Sequence, residues 1–255
     1  MAWRNKSTRV ALICAYCLLG MSNAVFAGTP VTDRVAVEAG VKAEVMKDLA
    51  LPYNPHEGLA DRTCLDGRPV ADFQGDIVEY WANLECPYCG IQEPVRAQRD
   101  NQNMCIVVRH IPSSEYGESM KKALSYEALK EFSANAANLF WDTVVPKTKL
   151  GIPSPYESAL LIAFQEAAIP AEKFADTLAK GAAERVSQDV LASRGRISST
   201  PTYVLAGIRF PACDFTAPEL KRALELAKQA RLDNQSDHAP LVRIITNGLL
   251  DEALL

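Results

Sequence analysis

The stretch E-C-P-Y-C-G-I-Q-E-P (85–94) places two cysteines, Cys86 and Cys89, on either side of Pro87 and Tyr88. Just upstream, D-I-V-E-Y-W-A-N (76–83) is rich in β-branched and aromatic residues and predicts a strand. Downstream, a helix is expected from Pro87 to about Asn101, with Pro87 in the first turn, where a missing N–H costs nothing. Three uses of the pair come into question: a metal clamp, a structural disulfide or a redox couple. A structural zinc site needs a full ligand set, commonly two cysteine pairs or a pair plus histidines. Here His56, His110 and His238 are scattered and never fall in ligand spacing. A disulfide closing so short a loop removes little unfolded-state entropy, so a purely structural bond would stabilise weakly. The redox use fits the local physics. At the start of a helix the Cys86 sulfur would face unpaired N–H groups and the positive end of the helix dipole, which favour thiolate over thiol. Cys86 is then the nucleophile and Cys89, about one turn further on, the resolving thiol that releases a mixed disulfide.

Working outward, the N-terminus reads as an export address. Arg4, Lys6 and Arg9 precede a mostly apolar run from Val10 to Met21, and A-V-F-A (24–27) offers small residues for cleavage after Ala27. The run is too short for a comfortable transmembrane span. Met21 stands where a lipidated cysteine would have to be in L-L-G-M (18–21), so a soluble periplasmic protein is expected. Removing residues 1–27 takes away Cys14 and Cys17, a second C-x-x-C that is a decoy inside the signal. Cys64, Cys86, Cys89, Cys105 and Cys213 remain. An oxidising compartment favours pairing, and an odd count leaves one thiol free or bridging two chains. The chain carries 27 basic and 31 acidic residues; without the leader the balance is 24 against 31, about −7. That mild acidity argues against nucleic acid as a partner. Nothing resembles a nucleotide or phosphate loop, and no bound cofactor is required.

Beyond the leader, 28–60 forms an N-terminal helical segment and linker. Val35, Val37, Val41, Val45, Met46 and Leu49 recur at helical spacing, on a surface helix packed against the main domain or on an oligomerisation arm. P-V-A-D-F (69–73) is expected as a short strand, I-V-E-Y-W-A as the next, and C-I-V-V-R-H-I (105–111) as another, ending at Pro112. Residues 113–197 consist of good helix formers with apolar residues three and four apart. One helix is expected over 171–181, ending at Gly181, and another over 182–195, ending at Gly195. Strands return at T-Y-V-L-A (202–206) and I-R-F (208–210), followed by a helix over 217–230. The tail, 231–255, could close in a docked amphipathic helix. A β-α-β unit and a β-β-α unit split by helices point to an α/β domain, 61–112 with 198–230, carrying an all-helical insertion over 113–197.

C-P-Y-C between a strand and a helix resembles the thioredoxin superfamily, and the dipeptide itself is the glutaredoxin pattern. A second match lies in S-S-T-P-T-Y-V (198–204), where Pro201 occupies the position of the superfamily's cis-proline facing the disulfide. Pro94, eight residues after Cys86, resembles the kinking proline of such helices. The helical block, with V-V-R-H-I-P (107–112) leading into it, resembles the DsbA-like branch over about residues 67–230: exported thiol–disulfide oxidoreductases with a helical domain inserted in a thioredoxin fold.

The resemblance implies roles. Pro87, Tyr88 and Thr200 would line the substrate site, with the Thr200 backbone pairing an extended client chain. Glu79 resembles a buried acid serving as proton relay, though at seven residues before Cys86 it stands one further away than expected; a partly exposed strand glutamate is the alternative. Glu85, beside Cys86, should raise the thiol pKa. Cys64–Cys105 is the implied structural disulfide. The implied activity is oxidation or exchange of cysteines in exported proteins, with a membrane partner resetting the redox state. Thr200 is the residue associated with isomerase-like and reductase-like members, so an isomerase or reductase, which self-association of the 31–50 helix would favour, is the first alternative. A non-enzymatic assembly chaperone for a secretion or conjugation apparatus is the second.

Overall fold

The computed structural model describes residues 34–90, 103–113, 117–145, 155–232 and 238–254. Four strands form its sheet: β1 (Asp76–Ala82), β2 (Met104–His110), β3 (Thr202–Leu205) and β4 (Ile208–Pro211), in the order β2-β1-β3-β4. β1 and β2 are parallel; β3 runs antiparallel to both β1 and β4. Parallel neighbours require a crossover, while β3 and β4 need only a hairpin. That hairpin turns through Ala206 (φ 48°) and Gly207 (φ 79°), the two-residue turn whose twist matches that of the strands.

Alternation along the strands divides the core. Val78, Tyr80, Ile106, Val108, Tyr203 and Phe210 face a large apolar cluster on one side. Ile77, Val107 and Cys105 face a smaller one on the other, with Leu59, Val70 and Phe73. β2 is buried along its whole length, so it reads as an apolar run rather than an alternation.

Between β2 and β3 come the helices α2 (Glu118–Lys130), α3 (Ala134–Val144), α4 (Tyr156–Ala167), α5 (Ala171–Thr177) and α6 (Ala183–Ser193), preceded in the chain by α1 (Arg34–Ala50). Ser133 caps α3, its Oγ accepting from the Ala136 N–H at 3.2 Å. Gly181 does not end a helix as expected. A single π turn, Leu178–Ala182, carries α5 directly into α6, and the Arg185 guanidinium lies 3.1 Å from where a side chain at 181 would begin. Glycine here makes room for an arginine instead of stopping the helix. Gly195 (φ 68°) does turn the chain after α6.

The insertion is joined to the sheet by buried charges. Asp189, fully buried on α6, accepts from Arg62 Nη2 at 2.8 Å, from the His110 backbone N–H at 2.9 Å and from Arg109 Nε. Glu127 on α2 pairs with Arg185 at 2.9 Å and with His110 Nε2 at 3.0 Å. Burial alone would raise the Glu127 pKa, but Lys130, His110 and Arg62 hold it well below the usual carboxylate range.

The expected strand over 69–73 is instead a 3₁₀ turn, Val70–Asp72, preceded by a single bridge between Thr63 and Pro69. Proline supplies no N–H to a ladder, and the Val70 and Phe73 side chains both turn into the same small cluster. Cys64 and Cys105 are joined in a disulfide. Around it, Leu65 N–H donates to Ile106 O at 2.8 Å and Arg68 Nη2 to Met104 O at 2.9 Å, so residues 64–68 line the outer edge of β2. With the two cysteines 41 positions apart in sequence, loss of this loop closure is expected to matter. Cys64→Ala with Cys105→Ala should lower the unfolding free energy by about 2–4 kcal/mol, read as a lower urea midpoint; an unchanged midpoint would contradict it.

α1 docks on the domain rather than standing away from it. Val41 and Val45 enter the large core, and buried Asp48 accepts from the Arg209 backbone N–H at 3.0 Å and its Nε at 2.9 Å. α7 (Ala217–Leu232) and α8 (Ala239–Leu254) follow the sheet. Cys213 is buried, its sulfur against α8, where a side chain begun at Gly248 would lie 2.7 Å away. That sulfur faces the interior. The expected signal segment, 1–27, lies outside the described residues, and no described helix is long and apolar enough to cross a membrane.

Candidate active site

β1 delivers the chain into two successive turns. Cys86 N–H donates to Asn83 O at 2.9 Å, and Cys89 N–H to Cys86 O at 3.0 Å. Asn83 Oδ1 accepts from Glu85 N–H at 2.9 Å, the side-chain-to-backbone turn that asparagine favours. Cys86 is half-buried and Cys89 fully buried, both as thiols. Pro87 and Tyr88 between them are partly exposed. Most of the expected helix, including Pro94, lies in 91–102, outside the described residues.

The two sulfurs have opposite acidities. The Cys86 pKa falls from 9.0 to about 7. The largest cause is a hydrogen bond from the Cys89 side chain; burial works against it, and the Tyr88 N–H, the Thr200 side chain and the Cys89 N–H add to the lowering. The Tyr88 and Cys89 N–H groups are donors of the kind expected from the sequence at the start of a helix. The Cys89 pKa is raised well above 9.0, first by burial and then by its hydrogen bond to Cys86 and that neighbour's charge; the Asn83 N–H opposes the rise.

Thr200 and Pro201 meet the cysteines from the other half of the chain. Their peptide bond is cis, and Cys86 Sγ donates to Thr200 O at 3.4 Å, across 114 residues of sequence. Pro201 is buried directly before β3, and its carbonyl accepts from Ala212 N–H at 2.9 Å. Strand pairing of Trp81 with Thr202 sets this approach: the end of β1 and the start of β3 are neighbours, so the loop beyond β1 and the loop before β3 share one rim of the sheet.

Glu79 is not brought to this site. Its carboxylate pairs with Arg109 Nη1 at 3.0 Å on the opposite face of the sheet, and its pKa is raised by burial against the pull of Arg109. Side chains in a strand alternate faces, so a separation of seven instead of six residues from Cys86 sends the side chain to the wrong side. Tyr80 occupies the sulfur face. It packs in the same cluster as Cys89, with its ring 4.8 Å from Tyr203 and 6.0 Å from Trp141, and burial pushes its phenol well above its ordinary range. Glu85 points outward, 3.4 Å from Lys122 Nζ.

Sequence reasoning missed the supports. Trp141 is in the core and donates from Nε1 to Cys89 O at 2.9 Å. Ser119 at the start of α2 donates to Asn83 Oδ1 at 2.8 Å. The one sequence signal was Asn83 itself, a turn-forming residue placed where a strand must end.

Parallel β1 and β2 and a β-β-α half, in the order β2-β1-β3-β4, with a C-x-x-C after the first strand and a cis-proline before the third, define a thioredoxin fold carrying a helical insertion. Solved structures with this architecture are DsbA-like. The thiol-disulfide exchange protein alpha-DsbA2 of Wolbachia pipientis aligns with a TM-score of 0.53 at 15% identity, covering 74% of this chain and 97% of its own. ScsC of Proteus mirabilis in a transitional conformation aligns with a TM-score of 0.51 at 15% identity, over 76% of this chain and 85% of its own. A linker-deleted ScsC mutant aligns with a TM-score of 0.53 at 15% identity, over 82% and 99%. No protein-family model matches the chain, and no curated protein matches it in sequence.

Proposed function

We propose that the chain is a thiol–disulfide oxidoreductase acting on cysteines of exported proteins in the periplasm. One observation carries the reading: an acidified, partly exposed Cys86 and a buried, high-pKa Cys89 sit together against the cis Thr200–Pro201 bond. In the oxidising direction a client thiolate attacks Cys86 Sγ, the Cys86–Cys89 bond breaks, and Cys89 leaves with the electron pair and takes up a proton. A second client thiolate then attacks its own mixed-disulfide sulfur and expels Cys86 as thiolate. The client loses two electrons and two protons; the protein gains two electrons. Cys86 serves as the better leaving group because its pKa is lower. Pro87, Tyr88 and Thr200 would border the client chain, and a membrane partner would reoxidise the pair.

Isomerisation or reduction is a second reading, and the acidity of Cys86 favours it. A nucleophile near 7 stands with thioredoxin, ~7, rather than with the strong oxidant DsbA, ~3.5. The reduction potential of the couple, with insulin-reduction and scrambled-ribonuclease assays, separates the two directions.

Alkylation tests the nucleophile directly. The rate with iodoacetamide should rise with pH through a midpoint of about 7, and an ordinary thiol's midpoint of 9.0 would refute the assignment. The same shift has a stability consequence for the reduced form. A folded pKa below the unfolded one stabilises the fold fully above about 9.0, and that contribution is lost as pH falls through about 7.

A further inference from the structure

The Cys89 sulfur is the harder of the two to ionise, yet it must carry negative charge whenever the disulfide opens or a mixed disulfide is resolved. We infer that Asn83 is a positioning residue that aims its own backbone N–H at this sulfur and is held in that pose by Ser119 of the helical insertion. This inference rests on the oxidoreductase reading above.

The geometry is a short relay of hydrogen bonds. Asn83 N–H points at Cys89 Sγ at 3.5 Å. Asn83 O accepts from Cys86 N–H at 2.9 Å, so one residue touches both ends of the C-x-x-C turn. Its side chain does not reach either sulfur. Oδ1 instead accepts twice, from Glu85 N–H at 2.9 Å and from Ser119 Oγ at 2.8 Å. Ser119 is buried, and its Oγ accepts from Ser113 N–H at 3.0 Å, which commits its proton to Asn83. The side chain thereby fixes the plane of the peptide that carries the N–H. An N–H aimed at sulfur favours thiolate. When a client thiolate attacks Cys86 Sγ, the electron pair of the broken S–S bond arrives on Cys89 beside this donor. In the reverse step Cys89 gives its proton to water and, as thiolate, attacks Cys86 Sγ and expels the client thiolate. The donor stabilises the same charge in both directions, and it does so from a loop anchored in the insertion.

The test uses the full chain with Cys86 loaded as a mixed disulfide with nitrothiobenzoate, so that attack by Cys89 releases the coloured thiolate. Asn83→Ala and Ser119→Ala should each slow release at neutral pH by about threefold to tenfold, the weight of one hydrogen bond. They should also move the pH midpoint of release upward, while iodoacetamide alkylation of Cys86 in the reduced protein keeps its rate. Ser119→Thr, which keeps the hydroxyl, should restore release. Ser119→Ala removes a single oxygen and keeps the test available if Asn83→Ala does not fold. Release at the parental rate and midpoint in a folded variant overturns the assignment. So does slowing matched by an equal loss of Cys86 reactivity, which would mark general loosening of the loop. Failure of the underlying reading looks different: the parental mixed disulfide itself would release nothing.

Discussion

Cys86→Ser is expected to reduce thiol–disulfide exchange to the uncatalysed background, in either direction and with any client. The hydroxyl that replaces the thiol does not ionise near neutral pH and forms no disulfide, so both the attack and the leaving-group steps are lost together. Cys89→Ser should behave differently. Cys86 would still form a mixed disulfide, but nothing would resolve it, so covalent complexes with clients should accumulate and dissolve on adding reductant. Non-reducing gels of the two variants distinguish the outcomes. Residual activity in Cys86→Ser would instead favour a chaperone whose work does not pass through this sulfur. The proposed division of roles follows the burial asymmetry: of the two sulfurs, Cys86 is partly exposed and Cys89 is buried.

Asp189→Ala should produce the largest loss of stability. The carboxylate is fully buried and holds Arg62, Arg109 and the His110 backbone N–H. Removing it leaves two guanidinium groups inside the protein without their shared counter-charge. Breaking a buried pair in this way costs about 3–5 kcal/mol, because the surviving charge keeps its desolvation penalty. Urea unfolding reads the loss as a lower midpoint, and a change below about 1 kcal/mol, the usual worth of an exposed pair, would show that water reaches the cluster. Asp189 lies on α6 and its partners on β2 and the segment before β1, so the same substitution should loosen the insertion from the sheet.

The residues that decide the fold were legible because their signals are local. Cys86 and Cys89 with a strand before them, and Pro201 with a strand after it, each announce themselves within a few positions; the strands β1 to β4 follow from composition, and the helical block from spacing. Cys64–Cys105 came from the resemblance and is present in the structure. Two misreadings have physical causes. Residues 69–73 have strand composition, but Pro69 has no N–H to give a ladder, and the segment closes as a turn. Gly181 looks like a helix stop until the arginine four residues on is seen lying over it. For Glu79 the seven-residue spacing left the relay open against a plain strand glutamate, and period-two alternation puts Tyr80 toward the sulfurs and Glu79 toward Arg109. The Arg62–Asp189 contact spans 127 positions and Asn83–Ser119 spans 36, and no pattern of neighbours encodes either.

The segment 64–68 along β2 makes the cover of an edge strand depend on the oxidation of one bond. A seven-residue strand buried along its whole length would, if bare, offer a row of unpaired amides and carbonyls to any other chain. The Cys64–Cys105 bond and the two hydrogen bonds beside it keep a stretch of the molecule's own backbone over that flank. Reduction of that bond would free this flank for strand pairing with another chain, independently of whatever Cys86 and Cys89 do.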